Sequence, residues 1–220
     1  MSKTWSYSRL STYETCPAKY KFSYIDKMPR GSSKAMDRGL AVHASVEAFV
    51  KKESTELHPE IHKEVRPALD SLLGLAGWVS EQAFFFNSKW ELVPKEDEDR
   101  ECTMILDLYR EDEVQKFVAC VDVKTGKQYE SHWDQLTLYG VGLLHAYPWA
   151  DMAHLGNIYT DVPKQPIRDF ILEREQLPAV TMEYERRVDR MREDQMLMPH
   201  PGIYCRWCDF SKTKGGPCKF

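Results

Sequence analysis

Lys116-Phe117-Val118-Ala119-Cys120-Val121-Asp122-Val123-Lys124 is an apolar run that closes on two opposite charges separated by one residue, and Thr125-Gly126-Lys127 follows it as a turn. Its length, its valines and the breaker beyond it predict a buried strand. Alternate side chains of a strand share a face, so Asp122 and Lys124 point the same way. Fifteen residues before Asp122, Asp107 follows Met104-Ile105-Leu106 in a second strand-like run, Cys102–Tyr109. On adjacent strands these groups can converge at one end of a sheet, and charges at the ends of buried strands need a ligand or partner, because burial without one is costly. Two carboxylates suit Mg²⁺ or Mn²⁺. A nearby ammonium can orient an attacking water or offset charge on a reacting phosphate.

Outward from this centre, Trp90–Val93 is expected as a further strand, which would complete a meander with the two runs above. Residues 37–52 read as a helix, with Leu40, His43, Val46, Glu47 and Val50 at three- and four-residue steps. Residues 60–86 are expected as a second helical region weakened by Gly74 and Gly77. Helical spacing returns over His132–Tyr147, strands are expected at Gly156–Val162 and Asp169–Glu173, and a charged helix over Pro178–Met196. The first forty residues read as two short helices, Ser8 capping one and Pro17 opening the other. This alternation implies an α/β fold, a sheet between helices.

With 220 residues, 42% of them hydrophobic and 29% charged, the chain suits one sizeable core. The expectation is a single domain over 1–220, with a helical segment over 1–36 and a cysteine-rich tail over 199–220. No run approaches the roughly 20 apolar residues that span a bilayer. No membrane partner is expected, and a soluble, cytoplasmic protein is. A net charge of -4 excludes coating of nucleic acid by bulk attraction. The charge is nevertheless segregated: residues 1–40 hold eight basic side chains against three acidic, and residues 91–115 hold ten acids against three bases. Such runs suit either solvated faces or a DNA-binding surface. Trp5, Tyr7, Tyr20 and Tyr24, interleaved with Lys19 and Lys21, are candidates either for base stacking or for the core.

Two further groups join the acids. His43, on the helix after Gly39, would add an imidazole to the carboxylates and shift metal preference toward Mn²⁺. Gln135 and Tyr139 lie one helical turn apart on one face, where they could position Lys124 or a phosphate, or simply belong to an amphipathic helix.

In order and approximate spacing, Ser6-Tyr7-Ser8-Arg9-Leu10, Tyr13-Glu14-Thr15-Cys16-Pro17, Gly39 to His43, Asp107, Asp122-Val123-Lys124 and Gln135 to Tyr139 resemble the RecB/AddB-like branch of the PD-(D/E)XK nucleases. A glycine often stands three residues before the first aspartate of that family, where this chain has Met104. The resemblance implies a restriction-endonuclease-like core with a central mixed sheet. It implies metal binding by His43, Asp107, Asp122 and the carbonyl of Val123, with Lys124 assisting water and Gln135 and Tyr139 shaping the site. Glu81 would fill the family's auxiliary acidic position. The implied activity is a Mg²⁺- or Mn²⁺-dependent exonuclease or end-processing nuclease on DNA, single-stranded or with free ends. The competing reading is a non-catalytic nucleic-acid-binding or assembly subunit stabilised by a metal cluster.

Six cysteines in an intracellular chain of this size do not suggest a disulfide framework. Cys102 and Cys120 fall in strand-like runs and read as structural thiols. Cys205-Arg206-Trp207-Cys208 and Cys218 crowd a tail with Gly215, Gly216 and Pro217, where a metal explains them better than packing does. A fourth ligand is needed, and Cys16 occupies the position of the early cysteine in the iron–sulfur members of the family. The resemblance implies a [4Fe-4S] cluster on Cys16, Cys205, Cys208 and Cys218, stapling the first helices to the tail. Zinc can use four thiolates equally well and stays open.

Overall fold

The computed structural model describes residues 3–220. Its chain forms two compact units: one of the residues up to Ser32 together with Met182–Phe220, the other of Ser33–Thr181.

The second unit is built on a five-stranded mixed sheet of order β1-β2-β3-β4-β5: β1 (Val79–Phe86), β2 (Cys102–Asp112), β3 (Phe117–Lys124), β4 (Met152–Tyr159) and β5 (Ile167–Glu173). β3 and β4 are parallel, and every other neighbouring pair is antiparallel. The parallel pair needs a crossover, and α5 (Ser131–Ala146) supplies it. β3 is buried along almost its whole length, and this is why its sequence is continuously apolar rather than alternating. α3 (Lys34–Val50) and α4 (Arg66–Leu73) contribute Val42, Val46 and Leu69 to a core with Leu108, Val121, Val123 and Ile158 of the sheet. The expected central mixed sheet flanked by helices is therefore what this unit contains.

Three expected elements differ. The region 60–86 is not one helix: α4 ends at Leu73, Gly77 takes φ 91, and Val79–Phe86 pairs with β2 as the first strand of the meander. The Phe84-Phe85-Phe86 run supplies sheet surface there, Phe84 and Phe86 stacking at 6.4 Å, and this packing overrides helical spacing. Trp90–Val93 is no strand but the return arm of a tight turn. The Asn87 side chain accepts from the amides of Lys89 and Glu91, Trp90 takes φ 61, and one bridge joins Phe86 to Leu92. α3 begins three residues earlier than its periodicity predicts, because the Ser33 hydroxyl accepts from the Met36 amide and caps it.

The first unit contains α1 (Tyr7–Thr15), α2 (Pro17–Tyr20) and a π turn over Lys21–Ile25. Ser6, not Ser8, is at the N-cap of α1, and Pro17 opens α2 as expected. α6 (Leu177–Glu193) starts in the second unit and ends in the first. It stops short of Met196, where the Asp194 carboxylate accepts from the amides of Met196 and Leu197. Within the first unit, the Tyr13 hydroxyl donates to Asp194 at 3.1 Å and Arg187 donates to Glu14 at 2.7 Å, so α1 is tied to the end of α6. Trp5 and Tyr20 are buried there and belong to its core, not to a stacking surface.

Candidate active site

Sheet register brings the acidic residues together. Leu108 pairs with Val121, and Asp107 and Asp122 each lie one residue beyond that pair on β2 and β3. The amide of Val123 donates to Asp107 Oδ2 at 2.7 Å instead of continuing the ladder, and His43 Nδ1 of α3 approaches the same oxygen at 3.2 Å. From β1, Glu81 completes the group: one donor atom each of His43, Glu81 and Asp107 lies within 4.8 Å of the others. An imidazole and two carboxylates at that spacing form a donor set suited to a divalent cation. Glu47, one turn beyond His43, instead pairs with Lys51 at 2.5 Å.

Asp122 lies beside this group without joining it. It is only 2% exposed, and its Oδ2 contacts Lys124 Nζ at 2.5 Å. Lys124 Nζ also donates to Gln135 Oε1 at 2.8 Å, and Gln135 Nε2 donates to the Tyr139 hydroxyl at 2.7 Å. An ammonium can only donate, so the amide oxygen must face Lys124 and the amide nitrogen is left for Tyr139. The helix carrying both residues lies very close to the sheet. A Cβ at Gly140 would stand 2.6 Å from Leu155 Cδ1, and one at Gly142 would stand 2.5 Å from Met104 Sδ.

The protonation equilibria follow from this crowding. Burial, reinforced by the charge of Asp107, pushes the Asp122 carboxyl up to about 6 against the pull of Lys124 and His43. Burial also raises Glu81, with Asp107 and Glu47 adding to it. At His43 burial favours the neutral ring, but the Asp107 contact and the charges of Asp107 and Asp122 outweigh it, so its pKa rises. Burial beside Asp122 holds the Tyr139 phenol protonated. A cluster of acids this reluctant to ionise together is one that a cation would relieve.

Two further residues belong to this picture: Glu81, which the sequence offered only through the family resemblance, and Asn157, which it did not offer. Glu81 takes φ 52, a backbone region that non-glycine residues rarely occupy. Asn157, in register with Asp122 on β4, is fully buried, with neither amide atom hydrogen-bonded to protein. Its one signal in the sequence is a carboxamide inside the apolar run after Gly156.

In the first unit Cys16, Cys205, Cys208 and Cys218 line one cavity with Phe22, Tyr204 and Phe210. The His200 amide donates to Cys16 Sγ and the Gly202 amide to Cys205 Sγ, each at 3.4 Å. Gly216 allows the chain bearing Cys218 to approach, since a Cβ there would stand 2.3 Å from the Phe210 carbonyl carbon. Cys102 and Cys120 are buried in β2 and β3, away from this cavity.

A family model of the PD-(D/E)XK nuclease superfamily matches residues 4–213, and the chain belongs to that superfamily. Among solved structures, a presumed exonuclease from Eubacterium rectale aligns over 99% of this chain and 89% of its own, with 12% identity and a TM-score of 0.59, a likeness of fold. The alkaline exonuclease LHK-Exo of Laribacter hongkongensis aligns more loosely, over 86% of this chain and 88% of its own, with 9% identity and a TM-score of 0.36. Its complex with dAMP aligns over 86% of each chain, with 11% identity and a TM-score of 0.43. No curated protein matches the chain. Nucleases of this superfamily use divalent metals. No helix among the described residues is long and apolar enough to cross a membrane.

Proposed function

We propose that this protein is a Mg²⁺- or Mn²⁺-dependent deoxyribonuclease that degrades single-stranded DNA from an end, and that it falls in the RecB/AddB-like branch of its superfamily. One observation carries the reading: the His43–Glu81–Asp107 donor set stands beside an Asp122–Lys124 ion pair whose ammonium is held by hydrogen bonds running through Gln135 to Tyr139.

In this reading His43, Glu81 and Asp107 hold the cation, and Asp122 and the Val123 carbonyl join when it is bound. The cation supplies Lewis acidity and a water of lowered pKa. Lys124, held between Asp122 and Gln135, offers its ammonium to a phosphate oxygen as charge grows there. Gln135 fixes the ammonium, and Tyr139 fixes Gln135. The buried, protonated phenol adds no competing negative charge.

The four cysteines are proposed to hold a [4Fe-4S] cluster. Their common cavity and the two amide N–H groups aimed at sulfur support cysteine ligation at this place. Such a cluster would staple α1 and α2 to the tail within the first unit.

The test is digestion of 5′- and 3′-end-labelled single- and double-stranded DNA, and of closed single-stranded circles, with Mg²⁺ or Mn²⁺. Mononucleotides or short products from linear single strands, with circles spared, are expected. Cleavage of circles would overturn the end requirement. DNA binding without cleavage by anaerobically purified protein would establish the non-catalytic reading instead.

A further inference from the structure

The two units carry opposite charge. Residues up to Ser32 together with Met182–Phe220 hold 14 basic and eight acidic side chains, whereas Ser33–Thr181 hold 16 basic and 26 acidic. A polyanion is therefore attracted to the unit that lacks the proposed catalytic residues. This unit also exposes aromatic surface. On the 3-10 helix Ile203–Trp207, Tyr204 is 68% and Trp207 is 60% exposed. Positions three apart eclipse on a 3-10 helix, so Tyr204 and Trp207 are carried on one edge of it, about 6 Å apart along its axis, with Tyr204 also bordering the cysteine cavity.

Their backbone is anchored. Tyr204 immediately precedes Cys205 and Trp207 immediately precedes Cys208, both cysteines lining the cavity described above, and Lys214 Nζ donates to the Trp207 carbonyl at 3.0 Å. The Arg206 guanidinium lies 4.8 Å from the Trp207 ring centroid, and Lys219 lies 5.2 Å from the Phe220 ring, which is also exposed. Residues 203–220 contain four cations and one acid. An exposed π surface beside cations, on an anchored turn, suits a ligand that offers flat rings and phosphates together. A protein partner of ordinary composition would not call for this excess of positive charge.

We propose that the edge bearing Tyr204 and Trp207, with Arg206, is a stacking platform for unpaired bases of single-stranded DNA. The proposal rests on the nuclease reading for its choice of DNA, and deepens it by naming the surface that selects unpaired strands. Duplex bases are stacked on one another and offer no free face to it.

The experiment is fluorescence anisotropy of labelled oligo(dT) and of a hairpin duplex, with protein retaining its cysteine-bound metal and no divalent ion added. Trp207→Ala is expected to weaken oligo(dT) binding about 5-fold or more. Tyr204→Ala should act in the same direction, Trp207→Phe should restore most of the affinity, and duplex binding should change less than twofold. Arg206→Ala should reduce the salt dependence of binding. Equal loss on duplex and single strand, or unchanged oligo(dT) affinity in both alanine variants, would overturn the proposal. So would a change in oligomeric state with oligo(dT) affinity preserved, which would mark the patch as a protein contact. Metal content and a thermal melt identify a variant that has merely lost its fold, and Trp207→Phe then decides the matter. Because no cleavage is needed, a wild-type protein that binds but does not cut would defeat the nuclease reading and leave this one standing.

Discussion

Glu81 stands opposite Asp107 across the β1–β2 ladder, between the pairs Ser80–Leu108 and Gln82–Leu106, and is left out of that ladder with φ 52. The break turns its carboxylate toward Asp107 and His43. A strained residue at such a place is a stability cost retained for the site.

Glu81→Gly should therefore stabilise the metal-free protein, by about 1 kcal/mol, since glycine takes positive φ without steric cost. The same change should weaken Mn²⁺ binding and cleavage tenfold or more. Titration calorimetry with Mn²⁺ and a melt without metal check the two halves. Unchanged metal affinity would remove Glu81 from the ligand set.

Asp122 gives a pH prediction. Its carboxyl is raised from 3.8 to about 6, so between those values the native state binds more protons than the unfolded chain, and stability falls as pH rises through that window. Asp122→Asn removes the buried charge. At pH 8 without metal the variant should be more stable by about 1–3 kcal/mol, a gain that vanishes below pH 4, and it should not cleave DNA. A variant less stable than wild type at pH 8 would mean that the Lys124 contact outweighs the cost of burial.

Gln135→Ala should lower kcat about tenfold with little change in Mn²⁺ affinity, because it frees the Lys124 ammonium without touching the donor set. Lys124→Ala should abolish turnover. An effect of Gln135→Ala confined to KM would reassign it to DNA binding.

If the proposed centre is present, replacing Cys16, Cys205, Cys208 or Cys218 by Ser should each remove it and lower the melting temperature, whereas Cys102→Ala should leave metal content unchanged. Anaerobic protein that is brown, with iron and sulfide in near-equal amounts, is expected. A colourless protein with stoichiometric zinc would replace the cluster and keep the staple.

Asp107, Asp122, Lys124, Gln135, Tyr139 and His43 were singled out in the sequence by their order and spacing taken together with the family resemblance, on strand and helix runs that the structure keeps; each alone suited an ordinary surface or core position. Glu81 was legible only through family resemblance, since a ladder break and a positive φ leave no periodic trace. β1 was hidden for another reason: Val79–Phe86 follows a real helix and two glycines, and only pairing with β2 makes it a strand. Asn157 could not be valued before the register set it beside Asp122. The division into two units was not read from the sequence, where one domain over 1–220 was expected; the meeting of the first helices with the tail was expected only through the cysteine resemblance, since it is a long-range contact that no local pattern encodes.

Gly140 and Gly142 leave α5 without side chains where it crosses the sheet, so backbone thickness sets the height at which Gln135 meets Lys124. A methyl group at Gly140 would act as a shim under the helix unless Leu155 moved aside. His43, Glu81 and Asp107 lie on α3, β1 and β2, off that helix. Helix height therefore bears first on the Gln135–Lys124 contact, and through Lys124 on Asp122 of β3. Substitutions along α5 would retune the lysine's reach.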